Sequence, residues 1–201
     1  MHENLCAKIN AKTNQPASFF QKETLYLLTL NLFQIMKKIF ATLVCILAIS
    51  SCSQAQKTEF APEALSENLL DLNGEEISFQ EILNQHKGKT ILIDIWASWC
   101  SDCIKAMPKF KEMQTKNPKA VYVYISMDKT AEKWKTGIEK YNLGNQNQYL
   151  AKDGMKGVFG KAIDLDWIPR YIVVDKKGKI VIYRAIEKDF DKLNATLKKL
   201  K

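Results

Sequence analysis

The stretch Ile91-Leu92-Ile93-Asp94-Ile95-Trp96-Ala97-Ser98-Trp99-Cys100-Ser101-Asp102-Cys103 sets the reading of this chain. Thr90–Trp96 is apolar and β-branched, interrupted only by Asp94, which predicts a central strand buried on both faces. Helical spacing starts after Cys100 and runs to Lys116, where Asn117-Pro118 stops it. Cys100 therefore falls at a helix N-terminus, where unpaired backbone N–H groups and the dipole favour an anion. That lowers a thiol pKa to roughly 3.5–7.5 in sites of this type. The thiolate would attack a substrate disulfide, and Cys103, one turn in, would attack the Cys100 sulfur and release the reduced product. Asp94 is the anomaly of the strand. An unpaired carboxylate is costly in a buried position, and burial raises its pKa toward neutrality. It suits a proton acceptor for Cys103, acting through a water; the plainer alternative is an Asp solvated or paired with a Lys.

Outward from this stretch the pattern continues. Leu69–Leu72, Asn73-Gly74 and Ile77–Phe79 predict a hairpin around an Asn-Gly turn. Ser78 with Glu81 makes a capping box opening a helix to about Gln85. Ala120–Ser126 reads as a second buried strand, and Thr130–Tyr141 as a helix with Trp134, Ile138 and Tyr141 on one face. Gly144–Tyr149 is polar and irregular, and Gly154–Ala162 a short helix. Tyr171–Asp175 and Lys179–Tyr183 flank a Lys176-Lys177-Gly178 turn; Phe190, Leu193, Leu197 and Leu200 stripe a last helix. The order βαβα then ββα predicts an α/β fold, a central mixed sheet with helices on both faces and an N-terminal β-hairpin extension.

The remaining sequence speaks to compartment. In this chain of 201 residues, 46% hydrophobic and 26% charged, two His are too few for a His-built metal centre. The net charge of +8 is spread in alternating signs along the sequence, with no run of the kind that points to nucleic acid. Lys37-Lys38 after Met36, the apolar run Ile39–Ile49 and Ser50-Ser51-Cys52 have the parts of a secretory signal. Ile49-Ser50-Ser51-Cys52 resembles a bacterial lipobox, with Cys52 as the lipidated residue. The expected organisation is 1–35 as upstream extension, 36–52 as lipoprotein signal, 53–64 as tether and 65–201 as the domain. A real N-terminal extension, an uncleaved anchor over Leu25–Ile49 and a buried element are the competing readings. Cys6 and Cys45 would be removed and Cys52 lipidated, which leaves Cys100 and Cys103 as the only pair. Zinc would need a second pair or His partners, and a structural disulfide closing so short a loop constrains the unfolded chain little.

Four motifs in order carry a resemblance. The strand Ile91–Trp96 running into Ala97-Ser98-Trp99-Cys100 looks like the approach to a thioredoxin active site. Pro108, five residues after Cys103, matches the proline of the thioredoxin active-site helix. Ile168-Pro169 before an apolar strand resembles the cis-proline loop, and Leu72-Asn73-Gly74 through Gly88-Lys89 is similar to the start of the TlpA-like, membrane-anchored thiol-disulfide oxidoreductases. The resemblance covers nearly all of 69–200. It implies a thioredoxin-like fold, a cis bond at Pro169 and a substrate-binding edge formed by Ile168, Pro169 and Arg170. Trp99 is expected to cover the disulfide, or to be a plain surface aromatic. Trp96 is expected to be core.

Departures from the family matter too. The Glu that many TlpA-like members carry three residues after the second Cys is Ala106 here. The dipeptide between the cysteines is Ser101-Asp102, and the Asp102 charge opposes the Cys100 thiolate, which points to a reductant. Arg170 stands where Thr is common, as a thiolate partner, a selector of acidic substrates or a surface cation. The expected function is an extracytoplasmic thiol-disulfide oxidoreductase without cofactor or metal. It would be lipid-anchored at Cys52 to a bacterial membrane, facing the periplasm, and Ser53 after Cys52 favours the outer membrane. Its partners would be the disulfides of secreted proteins and a membrane-embedded electron donor. The alternatives are a non-catalytic lipoprotein binding module with a structural disulfide and a thiol peroxidase; the latter lacks the Thr needed at Ala97.

Overall fold

The computed structural model describes residues 32–39 and 56–201, and the chain divides into the units Met1–Ala55 and Gln56–Lys201. In the first unit, residues 32–39 form helix α1, which passes through Met36. The rest of the expected signal, including Cys52 and its lipobox, lies outside the described residues. Among the described residues no helix is long and apolar enough to cross a membrane.

The second unit is built on one seven-stranded sheet with the spatial order β2-β1-β5-β4-β3-β6-β7. Its elements are α2 (Pro62–Ser66), β1 (Asn68–Leu70), β2 (Glu76–Ser78), α3 (Phe79–Gln85), β3 (Ile91–Trp96) and α4 (Ser101–Lys116). There follow β4 (Val121–Ser126), α5 (Ala131–Lys140), β5 (Gln148–Leu150), α6 (Val158–Ala162), β6 (Arg170–Val174), β7 (Ile180–Ala185) and α7 (Phe190–Lys199). Strand β3 is central: it runs parallel to β4, antiparallel to β6, and all six of its residues are buried. The mixed α/β sheet of the thioredoxin-like fold is thus formed. Phe110 of α4 lies edge-on to Tyr122 and Tyr124 of β4 and stacks on Tyr171 of β6, which in turn meets Phe190 of α7. Helices α4 and α7 therefore cover one sheet face. Asp94, whose register partners are Tyr124 and Tyr171, belongs to that face.

Three expectations need correction. The hairpin β1–β2 forms, but it is closed by the five residues Asp71–Glu75. The Asp71 carboxylate accepts from the backbone N–H of Asn73 and of Glu75, so a side chain replaces the backbone partner of a two-residue turn. Gly74 still supplies the left-handed position, at φ +86°. Second, Gly144–Tyr149 is not wholly irregular: Gln148–Leu150 is a buried strand, parallel to β4, and its single pairing of Leu150 with Leu70 joins the hairpin to the main sheet. Gln148 hides it, because a buried amide that donates to the Gly144 carbonyl reads as polar in sequence. Third, the stretch 53–64 is not a free tether from Gln56 onward. Ile180 N–H donates to the Thr58 carbonyl at 2.8 Å, and Phe60 is buried edge-on to Phe79. The segment thus shields part of β7, one of the two edge strands.

Candidate active site

Strand β3 ends at Trp96, and the turn Ala97–Cys100, closed by Cys100 N–H donating to the Ala97 carbonyl, delivers the chain to α4. Cys100 is the N-cap of α4 and Cys103 lies in its first turn. The two form a disulfide with Cα atoms 5.3 Å apart. The backbone N–H of Cys103, one of the donors a helix start leaves unpaired, points at the Cys100 sulfur at 3.1 Å. A negative charge on that sulfur would meet both this donor and the positive end of a 16-residue helix. Cys100 is 6% exposed and Cys103 3%, so both sulfurs are largely covered in the oxidised state and the outer one only slightly less.

The bond Ile168-Pro169 is cis, as expected. It places the Ile168 carbonyl oxygen 3.6 Å from the Cys100 sulfur. Ile168 and Pro169 are buried beside the dithiol, and Trp99 is exposed, at 57%. Trp96 is core, 1% exposed.

Asp94 and Asp128 are the two buried acids among the described residues, and they differ. Asp94 has no ion pair, and its Oδ1 has no hydrogen-bond partner. Burial pushes its pKa up to about 8. The helix face above it carries Cys103, Ala106 and Phe110. With Ala at position 106, Asp94 is the buried carboxylate of this layer among the described residues. Near neutral pH it exchanges a proton readily, and its ionised form can accept one from Cys103.

Asp128, which sequence reading missed, binds the site loop instead. Its carboxylate accepts from Ser98 N–H at 2.9 Å, Ser98 Oγ at 2.7 Å and Ser126 Oγ at 2.8 Å. Gly137 of α5 was missed too. A Cβ there would stand 2.6 Å from Ser98 Cβ and 3.2 Å from Trp96 Cη2, so α5 seats on the loop only because the side chain is absent. A lone Gly inside a helical pattern was the available signal. Trp167, 53% exposed and directly before Ile168, is the third omission. An aromatic residue in the acidic stretch before Ile-Pro was its signal.

Arg170 does not fit the reading as an exposed cation. It is 2% exposed and paired with Asp166, which also meets Arg184 at 3.3 Å. The pairing, made through Nη2, braces the loop before Pro169, while the buried Nε and Nη1 have no partner. Asp102 has Lys105 3.6 Å away, a cation that offsets part of its effect on the Cys100 thiolate.

Comparison with known proteins agrees with this geometry. A thioredoxin-like family model matches residues 88–180. The thiol-disulfide oxidoreductase ResA of Bacillus cereus is 27% identical over 150 residues, covering 74% of this chain and 82% of that protein. A solved protein of Bacteroides vulgatus described as a thiol-disulfide oxidoreductase is 31% identical, with a TM-score of 0.57, covering 70% of this chain and 89% of that one. A thiol-disulfide oxidoreductase of Bacteroides fragilis is 27% identical, with a TM-score of 0.56, covering 67% of this chain and 96% of that one. Fold, dithiol and relatives agree: the chain belongs to the thioredoxin-like thiol-disulfide oxidoreductases.

Proposed function

We propose that this oxidoreductase is TlpA-like, works outside the cytoplasm, and reduces disulfides of secreted proteins. Cys100 is the attacking sulfur. Its thiolate breaks the substrate disulfide and forms a mixed disulfide, releasing the first substrate thiolate. Cys103, having passed its proton to Asp94, then attacks Cys100 and frees the second substrate thiolate, leaving the Cys100–Cys103 disulfide. The observation that carries this reading is the Cys103 N–H aimed at the Cys100 sulfur, beside the carbonyl next to the cis proline.

The edge at Ile168 and Pro169 would hold an extended polypeptide as an added strand, with Trp99 and Trp167 flanking it. Lipidation at Cys52 would anchor the domain to a membrane and leave Ser53–Ala55 as its tether. A membrane-embedded donor would return the electrons. Residues 1–35 would be upstream of the true start at Met36.

The test is insulin reduction by the dithiol form of residues 56–201, a compact unit with its own core. Reduction is expected, with none from Cys100→Ser. A potential near about −270 mV would fit a reductant, whereas one near about −120 mV would reverse the proposed direction. Activity surviving Cys100→Ser would overturn the mechanism. A redox-inert disulfide would leave the binding-module reading.

A further inference from the structure

Strand β3 spans six residues, which puts its two ends about 17 Å apart. The dithiol lies beyond its C-terminal end. At the other end Ile91 pairs with Val121 and Val174, and the turns there are rich in lysine. A cleft of about 410 Å³ is lined by Lys87 and Lys89 before β3 and by Lys176, Lys177 and Lys179 between β6 and β7. A second, of about 190 Å³, shares Lys89 and Lys176 and adds Lys119 and Lys201. All seven lysines are exposed, and none forms a salt bridge with a described carboxylate.

The charge count gives this end its weight. Residues 53–201 hold 25 Lys and Arg against 20 Asp and Glu. Seven of those lysines and two of those acids, Glu59 and Asp175, line the two clefts, leaving 18 of each elsewhere. The two clefts thus hold a net excess of five positive charges, beside a neighbouring cleft that shares Asn84 and is lined by Asp71, Glu75, Glu76 and Glu81. Asp175 keeps its negative charge within the turn, where its Oδ1 accepts from the backbone N–H of Lys177 and of Lys179.

We infer that this lysine-bearing end is a contact surface for an anionic lipid membrane, and that it turns the dithiol away from the bilayer. Ammonium groups spread over four separate chain segments match a laterally extended array of phosphates better than one small anion, which two or three converging donors would hold. No aromatic side chain is exposed in either cleft, so the stacking platform of a single-stranded nucleic-acid site is missing. Near its start the domain passes this end, where Glu59 and Phe60 line the larger cleft, while Gln56 and Lys57 before them contact Val181 and Asp164 along β7. The surface stands without lipid at Cys52, but the fixed outward direction of the dithiol rests on that anchor.

The experiment is co-sedimentation of lipid-free residues 56–201 with vesicles of phosphatidylcholine alone or mixed with phosphatidylglycerol. Binding is expected only to the mixed vesicles and is expected to fall steeply as salt is raised. Replacing Lys87, Lys89, Lys176, Lys177 and Lys179 together by Gln should weaken it at least about 30-fold. Replacing Lys111, Lys133, Lys135, Lys140 and Lys188 by Gln removes the same charge elsewhere and should change it by less than about 3-fold. No binding to anionic vesicles, or equal losses in the two variants, would overturn the inference. Because the protein carries no lipid here, these outcomes are independent of modification at Cys52, which metabolic labelling with a fatty acid tests separately.

Discussion

The two ends of the central sheet are built to opposite rules. At the dithiol end, charge is paired or buried: Asp128 is spent on Ser98 and Ser126, Arg170 pairs with Asp166 and Asp102 with Lys105, and Asp94 is buried without a partner. Aromatic surface is exposed there, at Trp99 and Trp167. At the far end charge is abundant and uncommitted, and the large apolar groups are covered. The difference teaches where electrostatics can act on chemistry. An N–H or carboxylate in a dry, fixed site shifts a pKa, whereas a solvated lysine acts only by attracting a partner across water.

Substitutions that respect or cross this division sharpen it. The largest effect is expected from Cys103→Ser: turnover of insulin should fall at least about 1,000-fold, with mixed disulfides to Cys100 accumulating on non-reducing gels. Asp94→Asn comes next. The folded-state pKa of Asp94, about 8, exceeds its ordinary value of 3.8, so the folded protein holds this proton more tightly than the unfolded chain. Stability from this group is full below pH ~4, declines as pH rises, and is lost once pH passes about 8. Denaturation of the oxidised protein followed from acid to alkaline pH should show that decline. Asp94→Asn should flatten it and gain on the order of a few kcal/mol over wild type at high pH, while slowing disulfide release near neutrality. An unchanged slope would mean that Asp94 is solvated.

Smaller effects test how the loop is held. Asp128→Ala strips three donors of their acceptor and should cost about 1–3 kcal/mol in denaturant midpoints. Gly137→Ala sets a helix-propensity gain of about 1 kcal/mol against overpacking of about 1–3 kcal/mol. With Ser98 fixed by Asp128 the clash should prevail, giving a net loss of about 1 kcal/mol and slower insulin reduction. The smallest effect belongs to the far end: the five-lysine variant should keep kcat/KM for insulin within about 2-fold, since its charges lie more than a Debye length from the sulfur.

Much of this division was legible in sequence because the dithiol end is encoded locally. Ile91–Cys103 states strand, turn, helix start and both sulfurs in one run, and Ser78 with Glu81 states a helix start, here a capping box observed with both bonds formed. What escaped depends on distant partners. Asp128 looks like any loop acid until Ser98, thirty residues upstream, is seen to donate to it. Gly137 looks like a weak helix position until α5 meets the loop. For Arg170 the sequence leaves thiolate partner, selector of acidic substrates and surface cation open, because nothing local shows that Asp166 lies within reach while the strand is buried. The lysine-rich end escaped for the same reason: its lysines lie far apart in the chain and gather only where three turns and Lys201 meet.

The most direct measurement is the pH dependence of Cys100 alkylation in the Cys103→Ser variant, which keeps the backbone N–H at position 103. Half-maximal reactivity well below the free-cysteine value of about 8.5, in the range of about 3.5–7.5, is predicted. A midpoint at or above about 8.5 would contradict the claim that this helix start holds a sulfur anion.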